Sequence, residues 1–175
     1  MSKKIAKLKT VFTDENLIVR GSKDLIEGVA VRRIKVLPDE RGRLGEIMRA
    51  DDPWFEKFGQ VYFTTTYPGV VKAWHYHKKQ TDHFCVIKGM VKIALYDGRG
   101  DSPTYGVVNE LYIGEHCPAL LRIQPGVLHG WMCVGKKEAY IVNVVSEMYN
   151  YADPDEFRTD PNNNDIPYAW ERKDG

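Results

Sequence analysis

Two histidines one residue apart carry the strongest chemical signal in the sequence. They are His75 and His77, and they lie in a stretch, 69–89, that begins and ends with glycine. Side chains two positions apart in a β-strand point to the same face of the sheet, so both imidazoles can converge on one metal ion, one substrate or one proton. A third histidine, His129, follows a Pro-Gly turn between two further apolar runs. If these runs are strands of one small barrel, the three rings meet inside it.

The segments around these histidines have the composition of β-strands. Residues 61–66 and 84–96 are rich in Val, Ile, Phe, Tyr and Thr, which are the residue types that strands favour. Short runs of this kind, punctuated by Gly or Pro, continue over residues 60–145, and no helix-length periodic segment interrupts them. Such a series predicts an antiparallel sandwich or barrel.

The remaining segments flank this barrel within a single domain, residues 1–175. We divide the domain into an N-terminal arm, a barrel and a C-terminal tail: 1–26, 27–148 and 149–175. The tail is rich in Asp, Pro and Asn, and its aromatic residues Tyr168 and Trp170 predict an extended segment that packs over the barrel.

A short helix is predicted over residues 51–59. Either of the two aspartates at its start can cap it, and the proline that follows suits a first helical turn. Three aromatic residues give this segment one apolar face: Trp54, Phe55 and Phe58.

Charge and cysteine content exclude several classes of partner and compartment. Twenty-five Lys and Arg against 24 Asp and Glu leave a net charge of +1, so no general field attracts nucleic acid or an anionic membrane. The three cysteines are an odd number without C-x-x-C spacing, which favours free thiols in a reducing compartment. Without an apolar leader or a run of about 18 apolar residues, the sequence predicts a cytoplasmic protein.

The histidine spacing resembles that of the cupin superfamily. Its first motif places a glycine, a His-x-His pair, an acid and a second glycine in that order, and the matching positions here are Gly69, His75, His77, Asp82 and Gly89, with Asp where Glu is usual. Its second motif, a Pro-Gly turn and a histidine, matches Pro125, Gly126 and His129. The resemblance implies an all-β jelly-roll barrel, the double-stranded β-helix.

A closer resemblance is to the dTDP-4-dehydrorhamnose 3,5-epimerase family of nucleotide-sugar cupins. Four segments carry it in the family's order: 39–46, 60–76, 97–106 and 125–131. The resemblance implies a homodimer in which an N-terminal segment crosses to the partner. It also implies action on a dTDP-linked 4-keto-6-deoxyhexose in deoxysugar or polysaccharide biosynthesis, without a cofactor.

The same resemblance assigns roles to individual residues. His75 matches the catalytic base, and Lys72 stands where the family has a phosphate-binding Arg. The other positions that it places at the substrate are Arg41 on the diphosphate, Glu46 and Gln60 on the nucleoside, and His129, Asn143 and Tyr149 as further substrate contacts. A base is needed because a proton beside a ketone becomes acidic through its enolate, which also requires a donor at the oxygen and an acid on the opposite face.

Three departures from the family pattern leave other functions open. Asp82 occupies the position of the family's active-site Lys, Asn143 falls at the position of its acidic Tyr, and the Asp that orients the base has no clear equivalent. His77, which stands where the family usually has Gln, and Asp82 complete a set of three imidazoles and one carboxylate that suits Fe, Mn, Ni or Zn. His77 and Asp82 can instead form a hydrogen-bonded pair in the pocket wall. The alternatives are therefore a metal-dependent cupin acting on another small substrate and a non-catalytic sugar-binding cupin.

Overall fold

The computed structural model describes residues 9–12, 18–21 and 25–171, and the secondary structure of these residues is built from strands. In chain order the strands are β1 Lys9–Phe12, β2 Ile18–Gly21, β3 Ala30–Arg33, β4 Val36–Asp39, β5 Gly42–Gly45, β6 Gln60–Thr66, β7 Val71–Tyr76, β8 Asp82–Lys88, β9 Met90–Asp97, β10 Val108–Gly114, β11 Ala119–Ile123, β12 Val127–Cys133, β13 Ala139–Val145 and β14 Phe157–Arg158. Over these ranges, no helix is long and apolar enough to cross a membrane.

Two antiparallel sheets form the barrel. The larger has seven strands in the order β1-β2-β10-β9-β12-β7-β14, and the smaller has five in the order β3-β11-β8-β13-β6. Strands β4 and β5 form a separate hairpin. The predicted all-β jelly roll is therefore confirmed, and the histidine-bearing strands β7 and β12 are neighbours in the larger sheet.

Period-2 alternation builds the core between the sheets. On β9, Val91, Ile93 and Leu95 are at most 3% exposed and face the inward side chains Phe84 and Leu121 of the smaller sheet. Each such burial contributes about 1.5–3 kcal/mol relative to an exposed side chain. The barrel is held together by these apolar contacts, and its polar interior groups are concentrated around the histidines.

The predicted helix over residues 51–59 is wrong, because this segment makes one turn and does not continue. Its backbone bonds are Asp52 N–H to Arg49 O at 3.1 Å and Phe55 N–H to Asp52 O at 2.9 Å. The Asp52 carboxylate pairs with Arg32 of β3, and the Arg32 guanidinium lies 5.4 Å from the Trp54 ring. These contacts attach the segment to the smaller sheet, while the other Asp52 oxygen accepts the Trp54 backbone N–H at 3.0 Å and closes the single turn.

The C-terminal tail crosses the outer face of the larger sheet. Tyr168 donates its hydroxyl to the buried Glu110 carboxylate at 2.6 Å, and Lys92 donates to the Glu171 carbonyl at 2.6 Å. Thr159 exchanges backbone hydrogen bonds with Trp74 of β7. The tail therefore supports the strand that carries His75 from the side opposite to the barrel interior.

Candidate functional site

A cavity of about 840 Å³ opens beside β7, and its walls come from β6, β7, β12 and residues 147–158. His75 and His77 line it together, as their spacing predicts. Three further residues expected at the substrate also line it: Gln60, Lys72 and Tyr149. A space of this size accommodates a ligand of nucleotide-sugar dimensions, since small-molecule sites span about 300–1,000 Å³.

An irregularity in β7 brings Lys72 to the same wall as His75, although three positions separate them. The pairing of β7 with β12 shifts register between His129 and Trp131. At this point Gly130 lies so close to β7 that a Cβ atom on it would stand 2.3 Å from the Ala73 side chain. A glycine is therefore required where the two strands approach.

Three imidazoles converge at the base of the cavity. The ligand nitrogens of His75, His77 and His129 all lie within 4.8 Å of one another. The ring of His129 is 4.1 Å from that of His75 and 5.8 Å from that of His77, measured between centroids. The turn before β12 fixes this arrangement, because Gly126 adopts a φ of 85° and donates its N–H to the His77 carbonyl at 2.7 Å.

Backbone carbonyls determine which nitrogen of two of these rings faces inward. His129 Nδ1 lies 2.9 Å from the Val127 carbonyl, and His77 Nδ1 contacts the Asp155 carbonyl. A carbonyl can only accept, so both Nδ1 atoms carry hydrogen and both Nε2 atoms point inward. Asp82 Oδ2 faces these atoms, 3.3 Å from His129 Nε2 and 3.4 Å from His77 Nε2.

Asp82 is buried as a carboxylate beneath the cavity. Its Oδ1 accepts hydrogen bonds of 2.8 Å from both Gln80 and Asn143. Burial alone would raise the pKa of Asp82, but its interactions with His129, followed by those with His77 and Asn143, hold this pKa well below its ordinary value. The site therefore contains a fixed negative charge directly behind the histidines.

His75 is a neutral imidazole at the cavity wall. Burial, and after it the charge interaction with His129, hold the pKa of His75 well below the ordinary histidine value of 6.5. One edge of the ring opens on the cavity while protein atoms surround the rest. A neutral, partly desolvated imidazole has the properties of a general base.

Lys72 is held in the wall by two hydrogen bonds. Its ammonium donates to Thr64 Oγ1 at 2.8 Å and to the Thr65 carbonyl at 2.7 Å. Burial lowers the pKa of Lys72. The third ammonium hydrogen is left for the cavity, which suits a single contact to an anionic ligand.

Three of the predicted site residues lie behind the cavity wall instead of facing a ligand. His129, Asp82 and Asn143 are each at most 1% exposed. Asn143, which the family resemblance places at the substrate, donates its amide hydrogens to Tyr62 and Asp82, and its oxygen accepts the His83 backbone N–H. Asn143 instead positions its neighbours.

Two further predicted substrate ligands lie outside the cavity of their own chain. Arg41 sits at the tip of the β4–β5 hairpin, where its guanidinium pairs with Asp39 at 2.5 Å. Glu46, which follows β5, pairs with Arg49 at 3.3 Å. Within one chain, neither residue is among those that line the cavity.

Sequence reasoning did not assign Tyr62, Asp155 or Arg158, which line the same cavity. The alternation of β6 places Tyr62 on the face of Gln60, so a strict period-2 reading identifies it. Asp155 and Arg158 belong to the tail, and Arg158 reaches the site because β14 pairs with β7 opposite His75. No local pattern predicts such a long-range pairing.

A family model and two proteins of known sequence match most of the chain. A family model of the polysaccharide biosynthesis C-terminal domain matches residues 37–157. The chain is 40% identical over 145 residues to "Probable low-salt glycan biosynthesis epimerase Agl13" of Haloferax volcanii, covering 82% of this chain and 88% of that protein. It is 38% identical over 146 residues to the spore coat polysaccharide biosynthesis protein SpsL of Bacillus subtilis, covering 83% and 97%.

The same fold occurs in a solved sugar isomerase. A dTDP sugar isomerase from Desulfovibrio desulfuricans G20 superposes with a TM-score of 0.80 at 32% identity. The match covers 85% of this chain and 94% of that chain. The similarity therefore extends over most of both chains.

Proposed function

We propose that this chain, which belongs to the polysaccharide biosynthesis C-terminal domain family, epimerises a dTDP-linked 4-keto-6-deoxyhexose for glycan or polysaccharide assembly. The proteins similar to it include a probable glycan biosynthesis epimerase and a dTDP sugar isomerase. The observation that carries this proposal is the neutral His75 imidazole on the wall of a cavity of nucleotide-sugar size. The three cysteines are free thiols, which agrees with a reducing compartment, and we propose the cytoplasm.

In this proposal, each wall of the cavity has a part in the reaction. His75 removes the proton from the carbon beside the ketone, and the electron pair moves to the ketone oxygen. Lys72 contacts the diphosphate as a point charge, without the paired donors of an arginine. Gln60 accepts the Tyr149 backbone N–H at 3.1 Å, which joins the two residues that we place at the nucleoside.

Proton exchange tests this function directly. The protein is incubated with dTDP-4-keto-6-deoxyglucose in deuterated water, and proton NMR follows the signals at C3 and C5. We expect deuterium to enter at one or both carbons as the epimer accumulates. Nucleotide binding by calorimetry without any exchange would overturn the epimerase and leave a sugar-binding protein.

The arrangement of Asp82 favours a second candidate, a metal-dependent cupin. With hydrogen on both Nδ1 atoms, any His77 or His129 ring that carries no second hydrogen presents the lone pair of its Nε2 atom toward the Asp82 carboxylate. This contact is unfavourable unless a proton or a cation lies between the groups. Buried His129 Nε2 also lacks a hydrogen-bond partner of good geometry within the described part of the chain. Three imidazoles and a carboxylate suit Fe, Mn, Ni or Zn.

In this second candidate, His75, His77, His129 and Asp82 hold the ion, which would supply Lewis-acid polarisation of a substrate carbonyl. His75 would then be a ligand and not the base. The two candidates therefore differ in the role of one residue.

Metal analysis separates the two candidates. Protein purified without added metal is examined by elemental analysis, beside a His77→Ala variant and a His116→Ala variant whose histidine is exposed outside the cavity. About one transition metal per chain, retained in His116→Ala and lost in His77→Ala together with activity, is the result expected of the metal centre. Full activity after chelation, with less than about one tenth of an equivalent of metal, is the result expected of His75 as base.

We infer a homodimer from an apolar patch on the outer face of the smaller sheet. Val61 and Phe63 of β6 are 54% and 70% exposed, and they pair in register with Val144 and Val142 of β13. Ile87 of β8 is 45% exposed on a neighbouring strand. Exposed apolar surface of this kind marks interaction sites. The family resemblance implies a dimer, so we propose that a second copy of the chain covers this patch.

Sedimentation velocity tests the dimer. We expect wild-type protein to sediment at twice the chain mass and Phe63→Glu at the mass of one chain, because a buried charge without a partner opposes association. Tyr105→Glu, a change at an exposed aromatic residue on the loop before β10, is the matched control and is expected to remain dimeric. A monomeric wild type would contradict the inference.

A further inference from the structure

Inversion of a carbon centre requires a proton donor on the side opposite to the base. His75 approaches from β7 of the larger sheet. A donor that delivers a proton to the other face must therefore come from another wall, and β6 of the smaller sheet provides one. The following inference rests on the proposed epimerase function, and the experiment below separates its failure from that of the function.

Only one side chain that β6 directs into the cavity has an acidic hydrogen. Alternation along the strand places Gln60, Tyr62 and Thr64 on the cavity and turns Val61 and Phe63 outward. The amide of Gln60 and the aliphatic hydroxyl of Thr64, which accepts a hydrogen bond from the Lys72 ammonium, are not acidic near neutral pH. The phenol of Tyr62 is the group on this strand suited to proton transfer.

The hydrogen bonds of Asn143 leave the Tyr62 proton free for the cavity. The backbone N–H of His83 can only donate, so the atom that faces it at 3.0 Å must be the Asn143 oxygen. The Asn143 nitrogen therefore donates to Asp82 at 2.8 Å and to Tyr62 Oη at 2.9 Å. Tyr62 Oη accepts in this contact, and within the described residues its own hydrogen has no acceptor.

The surroundings of the hydroxyl keep Tyr62 protonated. Burial, and after it the negative charge of Asp82, raise the pKa of Tyr62 to about 12. The residue as a whole is 38% exposed, and its side chain lines the open cavity. At neutral pH the phenol is therefore a neutral donor held at a fixed place.

The other phenols of the cavity are placed less well for this role. Tyr149 and Tyr151 stack edge to face with centroids 5.0 Å apart, and they are 41% and 90% exposed. Such a pair at the mouth of a cavity suits contact with a flat ring of the ligand. Neither is joined to the buried network behind the histidines, whereas Tyr62 is joined to it through Asn143.

We propose that Tyr62 is the proton donor that acts on the sugar face opposite to His75. His75 breaks the C–H bond beside the ketone by taking its proton, and the electron pair forms an enolate on the ketone oxygen. As this pair returns and re-forms the C=O bond, the same carbon takes the phenol proton of Tyr62 from the other side. Imidazolium then loses one proton to water and phenolate gains one, so the step is balanced and the configuration is inverted.

The Tyr62→Phe variant tests this assignment with inversion and exchange measured separately. We expect kcat for inversion to fall by about 10²-fold or more, the usual contribution of a general acid, with little change in KM. Deuterium from solvent should still enter at the reacting carbon with configuration retained, because His75 can return a solvent-derived proton to the face it came from. His75→Asn should lose both.

Tyr112→Phe is the matched control. Tyr112 also donates one hydrogen bond, to Glu110 at 3.0 Å, and its pKa is likewise raised to about 12, but it lies on β10 away from the cavity. We expect it to invert the sugar at the wild-type rate. If Tyr62→Phe inverts the sugar at a rate within about threefold of wild type, the assignment is overturned. It is also overturned if the variant loses inversion and exchange together and its KM rises, because that result indicates a role in substrate binding. A wild type that shows neither inversion nor exchange overturns the proposed function itself.

Discussion

The His75→Asn variant is expected to lose epimerisation and solvent exchange together, by about 10³-fold, within the range of 10²–10⁴ typical of a general base. Asparagine keeps a polar side chain at the cavity wall but cannot accept a proton at neutral pH. The measurement is kcat/KM for the 4-keto sugar, together with deuterium incorporation by NMR. A loss confined to KM, with kcat unchanged, would contradict a role as base.

His116→Asn is the matched control for this change, because His116 is exposed in the turn between β10 and β11. Both variants should unfold at nearly the wild-type temperature, since neither substitution removes a buried apolar group. If His75→Asn retains more than about a tenth of wild-type activity, His75 is not the base.

The pH profile gives a second readout of the same residue. Because the pKa of His75 is lowered well below 6.5, the ring stays neutral and able to accept a proton as pH falls through 6.5. Activity should therefore be constant from neutral pH to below 6.5 and fall only at lower pH, where the ring becomes protonated. An acid limb of kcat/KM centred at or above 6.5 would contradict the lowered pKa.

The sequence could predict the fold because its dominant signals are local. Alternation of apolar residues and Gly or Pro punctuation identify strands without knowledge of their partners. The His75–His77 spacing likewise determines a shared face, and the Pro-Gly turn places His129 at the start of the neighbouring strand. These predictions depend on strand geometry alone, and the structure confirms the convergence of the three rings.

The errors arise where a distant contact outweighs a local preference. The expected helix around residues 51–59 ends after one turn, where the segment is held to the smaller sheet by the pairing of Asp52 with Arg32, which is remote in sequence. Asn143 stands where the family has a tyrosine, and its shorter amide bonds to Asp82, Tyr62 and the His83 backbone within the wall. Depth within a wall depends on side-chain length and on neighbours, which strand periodicity does not specify.

The support of β7 by the tail also depends on contacts that sequence could not predict. Trp74 is fully buried between the sheet and the tail, with its ring 5.6 Å from that of Tyr168 and 5.1 Å from that of Trp170. It directly precedes His75, so the packing of one face of β7 sets the position of the base on the other. Stability and catalysis are therefore coupled at this strand.

Trp74→Ala is expected to lower the free energy of unfolding by about 3–5 kcal/mol, the usual loss for a buried Trp replaced by Ala. For a domain of this size, this corresponds to a fall of about 6–20 °C in the midpoint of thermal unfolding. Calorimetry or circular dichroism measures the shift. Activity below the new midpoint should also fall, because β7 is no longer held against the tail.

Two further variants distinguish ring packing from other effects of the change. Trp74→Phe keeps an aromatic ring, and the Trp74 indole nitrogen has no hydrogen-bond partner in the described residues, so this variant should recover most of the lost stability. Trp54→Ala removes a half-buried indole from the other sheet and should destabilise the protein less, with His75 chemistry unchanged. If the tail supports β7, Trp74→Ala should lower the free energy of unfolding more than Trp54→Ala does, because the tail covers Trp74. An equal loss in the two variants would show that the tail does not support β7.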